Sequence, residues 1–162
     1  MKAALLVVDV QKSFSPPKWL IDRIEILLPT MMSVATVERH DESVAPFQKQ
    51  LGWVPGEGDD SLVETDHLFI KHGYLPPPQL LTCLRAHSVE RVFVCGLQAE
   101  TCVLAAGFTL FDAGLQPTIV ADMVVGSSLD PSGDLGVRLW RHHFGSVTED
   151  HRQLLSIASC QG

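Results

Sequence analysis

Five short runs rich in β-branched and other apolar residues, at 3–8, 32–37, 67–70, 92–95 and 118–121, recur along the chain with longer amphipathic stretches between them. A run that is apolar at nearly every position suits a strand buried on both faces, and successive parallel strands need a crossover, usually a helix. The alternation therefore predicts parallel strands covered on both faces by helices. A shorter run at 146–148 predicts a sixth strand. Helices are predicted over 16–28, 77–87, 101–113 and 133–143. Pro16-Pro17 is expected to open the first helix with Ser15 as its cap, and Gly114 to close the third in left-handed geometry. The stretch 41–66, with Pro46, Gly52, Pro55, Gly56 and Gly58, has no clear period and is long for a connector. Such a segment is expected to be a binding loop or a lid.

The chain has 162 residues, which predicts one domain spanning 1–162, and 46% hydrophobic residues are enough to build a full core. The formal net charge is −7 and no Lys/Arg run is present, so nucleic acid is not an expected partner. No apolar segment reaches the ~18 residues of a membrane span. The first apolar run, Ala3–Val8, is broken by Asp9 and lacks a signal-peptide cleavage pattern. The four cysteines, Cys83, Cys95, Cys102 and Cys160, show neither C-x-x-C nor zinc-finger spacing. Thioredoxin-like chemistry and structural zinc are therefore not expected, and a reducing cytoplasm is the expected location.

Ligands of open parallel sheets bind beyond the carboxyl ends of the strands, and three reactive residues fall there. Asp9 follows the first run, Lys71 follows the third, and Cys102 follows the fourth after a turn opened by Gly96. Each has a bland reading: Asp9 as a cap, Lys71 as a surface cation, Cys102 as a small core residue. A cysteine in the first turn of a helix faces unpaired N–H groups and the positive dipole end, both of which favour the thiolate. Together the three could supply a nucleophile, a proton acceptor and a cation, with backbone N–H groups around Gln98 and Cys102 for an oxyanion.

Leu5-Leu6-Val7-Val8-Asp9-Val10-Gln11, Lys71-His72-Gly73-Tyr74 and Cys95-Gly96-Leu97-Gln98-Ala99-Glu100-Thr101-Cys102-Val103 resemble the opening strand, the lysine motif and the cysteine elbow of the isochorismatase-like hydrolases. Leu110-Phe111-Asp112-Ala113-Gly114 and the segment 139–145 resemble the family's later helix and last loop, so the likeness runs from about Ala3 to Val147. The resemblance implies a three-layer α/β/α fold with a six-stranded, mainly parallel, Rossmann-like sheet. It also implies the cysteine hydrolase branch, which includes nicotinamidases and carbamoyl amidohydrolases. Cys102 would be the nucleophile, Asp9 the general base and later acid, and Lys71 the cation that stabilises the thiolate and orients Asp9. A non-proline cis peptide is implied between Leu97 and Gln98.

The pattern is also departed from. Where the family usually carries Thr-Asp two positions before the cysteine, this chain has Ala99-Glu100, which is expected to alter the pocket. Where nicotinamidases hold a metal with Asp-x-His and a later His, this chain has Glu38-Arg39-His40, with His67 as the nearest further candidate. Two ligands without a third suggest a loop ion pair, so no metal and no cofactor is expected. Phe14, Gln98, Trp53 and Tyr74 are expected to bind the substrate. His142 and His143 are read as dipole partners at a helix end, and Cys83, Cys95 and Cys160 as structural or incidental.

The expected activity is hydrolysis of a small amide or carbamoyl compound through an acyl-enzyme on Cys102, in a homo-oligomer, dimer or tetramer. A catalytically silent scaffold of the same fold is the alternative, and an oxidant-sensing thiol a third reading, without a close resolving cysteine. Vinyl ether hydrolysis is disfavoured because that branch of the family generally lacks the cysteine.

Overall fold

In the computed structural model, which describes residues 1–158, the apolar runs form strands β1 (Ala3–Val8), β2 (Met32–Glu38), β3 (His67–Lys71), β4 (Arg91–Leu97), β5 (Gln116–Val125) and β6 (Val147–Thr148). Helices α1 (Lys18–Leu27), α2 (Phe47–Leu51), α3 (Pro78–Ala86), α4 (Cys102–Asp112), α5 (Asp134–Phe144) and α6 (Gln153–Ala158) connect or follow them. The six strands pair in the order β3-β2-β1-β4-β5-β6, every ladder parallel, giving the α/β/α layering expected from the alternation. The order reverses between β1 and β4, the switch point at which such sheets leave a crevice.

Strand β1 is buried at all six positions, and its alternate residues serve two cores. Ala4, Leu6 and Val8 pack with Leu80 and Leu84 of α3, Val103 and Leu110 of α4, and Trp140 of α5. Leu5 and Val7 pack on the other face with Leu20, Ile24 and Leu27 of α1, Phe93 of β4 and Leu154 of α6. Burial of a strand on both faces is the physical source of its unbroken apolar run.

Several boundaries differ from the sequence reading. Ser15 does not cap the first helix: its φ is +48°, it ends a short 3₁₀ turn over Lys12–Phe14, and α1 starts after Pro17 without a side-chain cap. Pro17 at the cap position has no N–H to satisfy, and the first-turn residues Lys18 and Trp19 are exposed to water. The segment 41–66 is not wholly irregular, since it holds α2. Glu42 takes the place of a cap there, its carboxylate accepting from Gln48 and Lys49 N–H at 3.0 and 2.9 Å. Gly114 does close α4, at φ +79°, with Leu115 N–H on the Leu110 carbonyl and Gly114 N–H on that of Phe111. Cys160 lies outside the described residues. No described helix is long and apolar enough to cross a membrane.

Gly96 lets β1 and β4 close up directly beneath the crevice. Its φ is +111°, and a Cβ there would stand 2.2 Å from the Val8 carbonyl oxygen. Gly114→Ala meets nothing within 4 Å and should cost only the left-handed penalty of about 1–2 kcal/mol. Gly96→Ala adds a backbone collision and should cost about 3 kcal/mol or more, read as the difference between the two variants in urea unfolding.

Candidate active site

Four neighbouring strands deliver one reactive group each to the carboxyl edge. In sheet order these are Lys71 at the end of β3, Glu38 at the end of β2, Asp9 just past β1, and the turn past β4 that leads to Cys102. The ladder pairs Glu38 directly with Lys71, and Asp9 N–H donates to the Thr36 carbonyl at 3.1 Å. Asp9 turns the chain out of the sheet with φ +52°, a left-handed conformation uncommon outside glycine but one Asp tolerates.

Lys71 is the hub. Its Nζ donates to Glu38 Oε2 and the Gly73 carbonyl, each at 2.8 Å, and to Cys102 Sγ at 3.1 Å, and it stands 2.8 Å from Asp9 Oδ2. Three N–H groups thus face four acceptors, with Lys71, Asp9 and Glu38 all 2% exposed or less. Burial opposes the lysine charge, but Asp9, Cys102 and Glu38 outweigh it and hold Lys71 above its ordinary value. Burial raises the carboxyls of both Asp9 and Glu38 despite Lys71. Thr36 Oγ1 donates to Asp9 Oδ1 at 2.9 Å, which pulls the other way.

The thiol departs from expectation. Burial first and Asp9 second push Cys102 up to about 12, against Lys71. Burial strips a thiolate of its hydration, and the carboxyl neighbours Asp9 and Glu38 add to that cost. The first-turn position and Lys71 do not suffice, and burial favours the neutral thiol. Asp9 is no helix cap, since its carboxylate meets Thr36 and Lys71.

The elbow presents the backbone as the residues around Cys102 suggested. Gln98 carbonyl accepts from the N–H groups of Thr101 and Val103, at 3.0 and 3.2 Å. The N–H groups of Gln98 and Cys102 make no such bond among the described residues, and the Leu97–Gln98 peptide is cis. Ala99 lies away from the pocket, buried against α5, where a Cβ on Gly136 would come within 2.5 Å of the Ala99 Cβ. Glu100 ties the elbow to the loop after β5, accepting from Ser127 N–H at 2.8 Å. The Ala99-Glu100 departure is thus absorbed by packing behind the site.

A cavity of about 280 Å³ opens over Cys102 and Asp9 and is lined by Phe14, Trp53, Tyr74 and Gln98, the four residues expected to meet a substrate. Lys71 sits behind this wall. Phe47 of α2, which the sequence reading passed over, joins the lining and holds Trp53 and Tyr74 at ring-centroid distances of 5.3 and 5.2 Å. The 41–66 segment is pinned over the cavity by Asp59, which accepts from Ser13 N–H and Oγ at 3.0 and 2.6 Å. Gly56 passes so close that a Cβ would come within 3.3 Å of Ser13 Oγ. Cys95 is fully buried in the sheet, and His142 and His143 lie in the last turn of α5 outside the cavity.

The isochorismatase domain model matches residues 3–151. The chain belongs to the isochorismatase family. No curated protein matches it. Among solved structures, N-carbamoylsarcosine amidase from Thermoplasma acidophilum is similar at 21% identity and TM-score 0.75, over 93% of this chain and 97% of that one. Pyrazinamidase of Pyrococcus horikoshii, solved in complex with zinc, shares 21% identity and TM-score 0.76 over 91% and 98%. Nicotinamidase PncA from Bacillus subtilis shares 19% identity and TM-score 0.75 over 92% and 100%. At these identities the likeness is one of fold.

The zinc of the pyrazinamidase complex raises the question of whether this isochorismatase-family site could hold one. Glu38 Oε1 and His40 Nδ1 are buried without partners, which would suit a ligand. Yet Glu38 Oε2 is bound to Lys71, His40 Nε2 is 2.8 Å from Glu42, and no third His, Cys, Asp or Glu among the described residues converges with these two. His67, the sequence candidate for a third ligand, sits at the far end of β3. The residues present do not fit a metal here.

With the Cys102 thiol at about 12, alkylation of the free protein by iodoacetamide should rise ~tenfold per pH unit from neutral into the alkaline range without a plateau. Partly exposed Cys83 should react before Cys102 near neutral pH. Peptide-resolved mass spectrometry reads both rates, and a Cys102 plateau below neutral pH would refute the resting thiol.

Proposed function

We propose that the protein hydrolyses a small primary amide or carbamoyl compound through a thioester on Cys102, with Asp9 moving the protons and Lys71 holding the charges. The observation that carries this reading is the contact of one lysine with both carboxylates and the thiol, next to a cavity. The reactive form pairs an ionised Asp9 with the neutral Cys102 thiol that burial favours. Passing the S–H proton to Asp9 creates the thiolate beside Lys71 without changing the net charge, so the nucleophile forms only as it attacks.

Attack of Sγ on the substrate carbonyl puts negative charge on its oxygen, where the N–H groups of Gln98 and Cys102 can receive it. Asp9 then gives its proton to the nitrogen, the C–N bond breaks and ammonia or an amine leaves. Water, deprotonated by Asp9, attacks the thioester, and the thiol leaves with that proton as the acid is released. Phe14, Phe47, Trp53 and Tyr74 give the cavity an aromatic wall suited to a planar or apolar substrate body. An oxidant-sensing role has less support, because sensing favours an exposed low-pKa thiolate.

Ammonia release from a panel of small amides, carbamoyl compounds and nicotinamide tests the reading. Cys102→Ala should fall below about a hundredth of wild-type turnover, Asp9→Asn should lose a factor of about 10² to 10⁴, and intact mass should show an acyl adduct in the wild type alone. Activity retained by Cys102→Ala would leave the silent-scaffold or a different chemistry standing.

Asp9 must be ionised to take the thiol proton, so kcat/KM should fall as pH drops through its raised value, above the ordinary ~3.9. Thr36→Val removes a hydrogen bond that lowers that value and should move the acid limb to higher pH. An unmoved limb would assign the base elsewhere. Because Glu38 is committed to Lys71, dialysis against a chelator should leave turnover unchanged, measured with and without added zinc.

A further inference from the structure

At the opposite end of β3 from Lys71, His67 meets two residues of the helix that follows. Cys83 lies in α3 and His87 just past its end, spaced four apart and so on one helical face, beside Leu80 and Leu84, which enter the core. His67 is on the α3-facing side of the strand, because side chains alternate and it shares a face with Phe69 and Lys71. One ring nitrogen of each histidine and the Cys83 sulfur all lie within 4.8 Å of one another. The two rings are 5.2 Å apart at their centroids, and Cys83 Sγ is 3.9 Å from His87 Nδ1.

We propose that His67, Cys83 and His87 form a binding site for a borderline-soft divalent cation of the zinc class, with water in the fourth position. Two imidazoles and a thiolate are a donor set that selects such ions over magnesium or calcium. Bonds of ~2.0–2.1 Å to nitrogen and ~2.3 Å to sulfur put tetrahedral ligand atoms ~3.3–3.6 Å apart, a contraction that rotation of the partly exposed side chains supplies. His87 Nδ1 is 2.9 Å from the Cys83 carbonyl, and an N–H donated there fixes the ring and leaves Nε2 as the nitrogen free to ligate. Binding is balanced by release of the Cys83 proton as the S–metal bond forms.

The site is separate from the reacting groups. His67 and Lys71 are four positions apart on one strand, ~13 Å along it, so the ion would clip edge strand β3 to α3 without entering the chemistry.

Cobalt(II) titrated into the full-length, chelator-treated protein is the probe. One equivalent should give thiolate-to-cobalt charge transfer with the strong visible bands of tetrahedral cobalt, displaced by zinc. Cys83→Ser should abolish the charge-transfer band, His87→Gln should weaken binding at least tenfold, and Cys102→Ala should keep both band and affinity. In the wild type, one equivalent of zinc should slow Cys83 alkylation at least tenfold, a readout independent of how the variants fold. A band that survives Cys83→Ser, or a Cys83 rate unaffected by zinc, overturns the site. Turnover of any substrate found should be the same with and without zinc, so either result leaves the hydrolase reading untouched.

Discussion

One buried lysine serves two buried carboxylates, and the rest of the site is built around that imbalance. Burial is the larger cause that keeps the neighbouring thiol protonated, and the Asp9 charge adds to it against Lys71. Removing Lys71 would leave two uncompensated carboxylates in a dry environment, a change that costs about 3–5 kcal/mol where such groups cannot take up protons. Burial likewise gives Asp9 its function in the proposed reaction. A carboxylate pushed up by burial, in contact with a thiol that is reluctant to ionise, is a proton acceptor matched to its donor.

The sheet makes this cluster by register rather than by any local motif. Lys71 and Glu38 are ladder partners on adjacent parallel strands, and Asp9 joins them because β1 is hydrogen-bonded on the other side of β2. Gly96 allows β4 to approach β1 closely enough for the Cys102 elbow to reach the same point. The reversal of strand order at this pair then leaves the crevice open above it. An aromatic roof completes the enclosure, held down by Asp59 on Ser13 and by the packing of Phe47 between Trp53 and Tyr74. Aromatic faces on one side, with Trp53 and Tyr74 still nearly half exposed, and backbone donors on the other leave a crevice that a small substrate can enter.

The alternation of apolar runs with amphipathic stretches was enough to predict strands, helices and a parallel sheet, because burial on both faces leaves a strand no polar alternation. Asp9, Lys71 and Cys102 were legible for a related reason: residues at strand ends converge in a parallel sheet, and motif spacing marked which ends mattered. Short elements were less legible. Helix α2 has five residues and depends for its cap on Glu42, six positions before Gln48, and β6 has two residues that only their pairing with β5 defines.

What the sequence alone determined is therefore the order of the layers and the identity of three groups at the carboxyl edge. Tertiary structure decided how those groups are charged. Glu38 reads in sequence as half of a metal motif, and only its register opposite Lys71 turns it into the lysine's second counter-ion and takes it away from His40. Cys102 reads as a thiolate from its place in a helix, and only burial beside two carboxylates makes it a thiol. The convergence of His67 with Cys83 and His87 is likewise invisible as spacing, since a strand end and a helix end supply it. Charge state and ligand sets depend on distances across the fold and on the exclusion of water, and neither quantity is carried by neighbours along the chain.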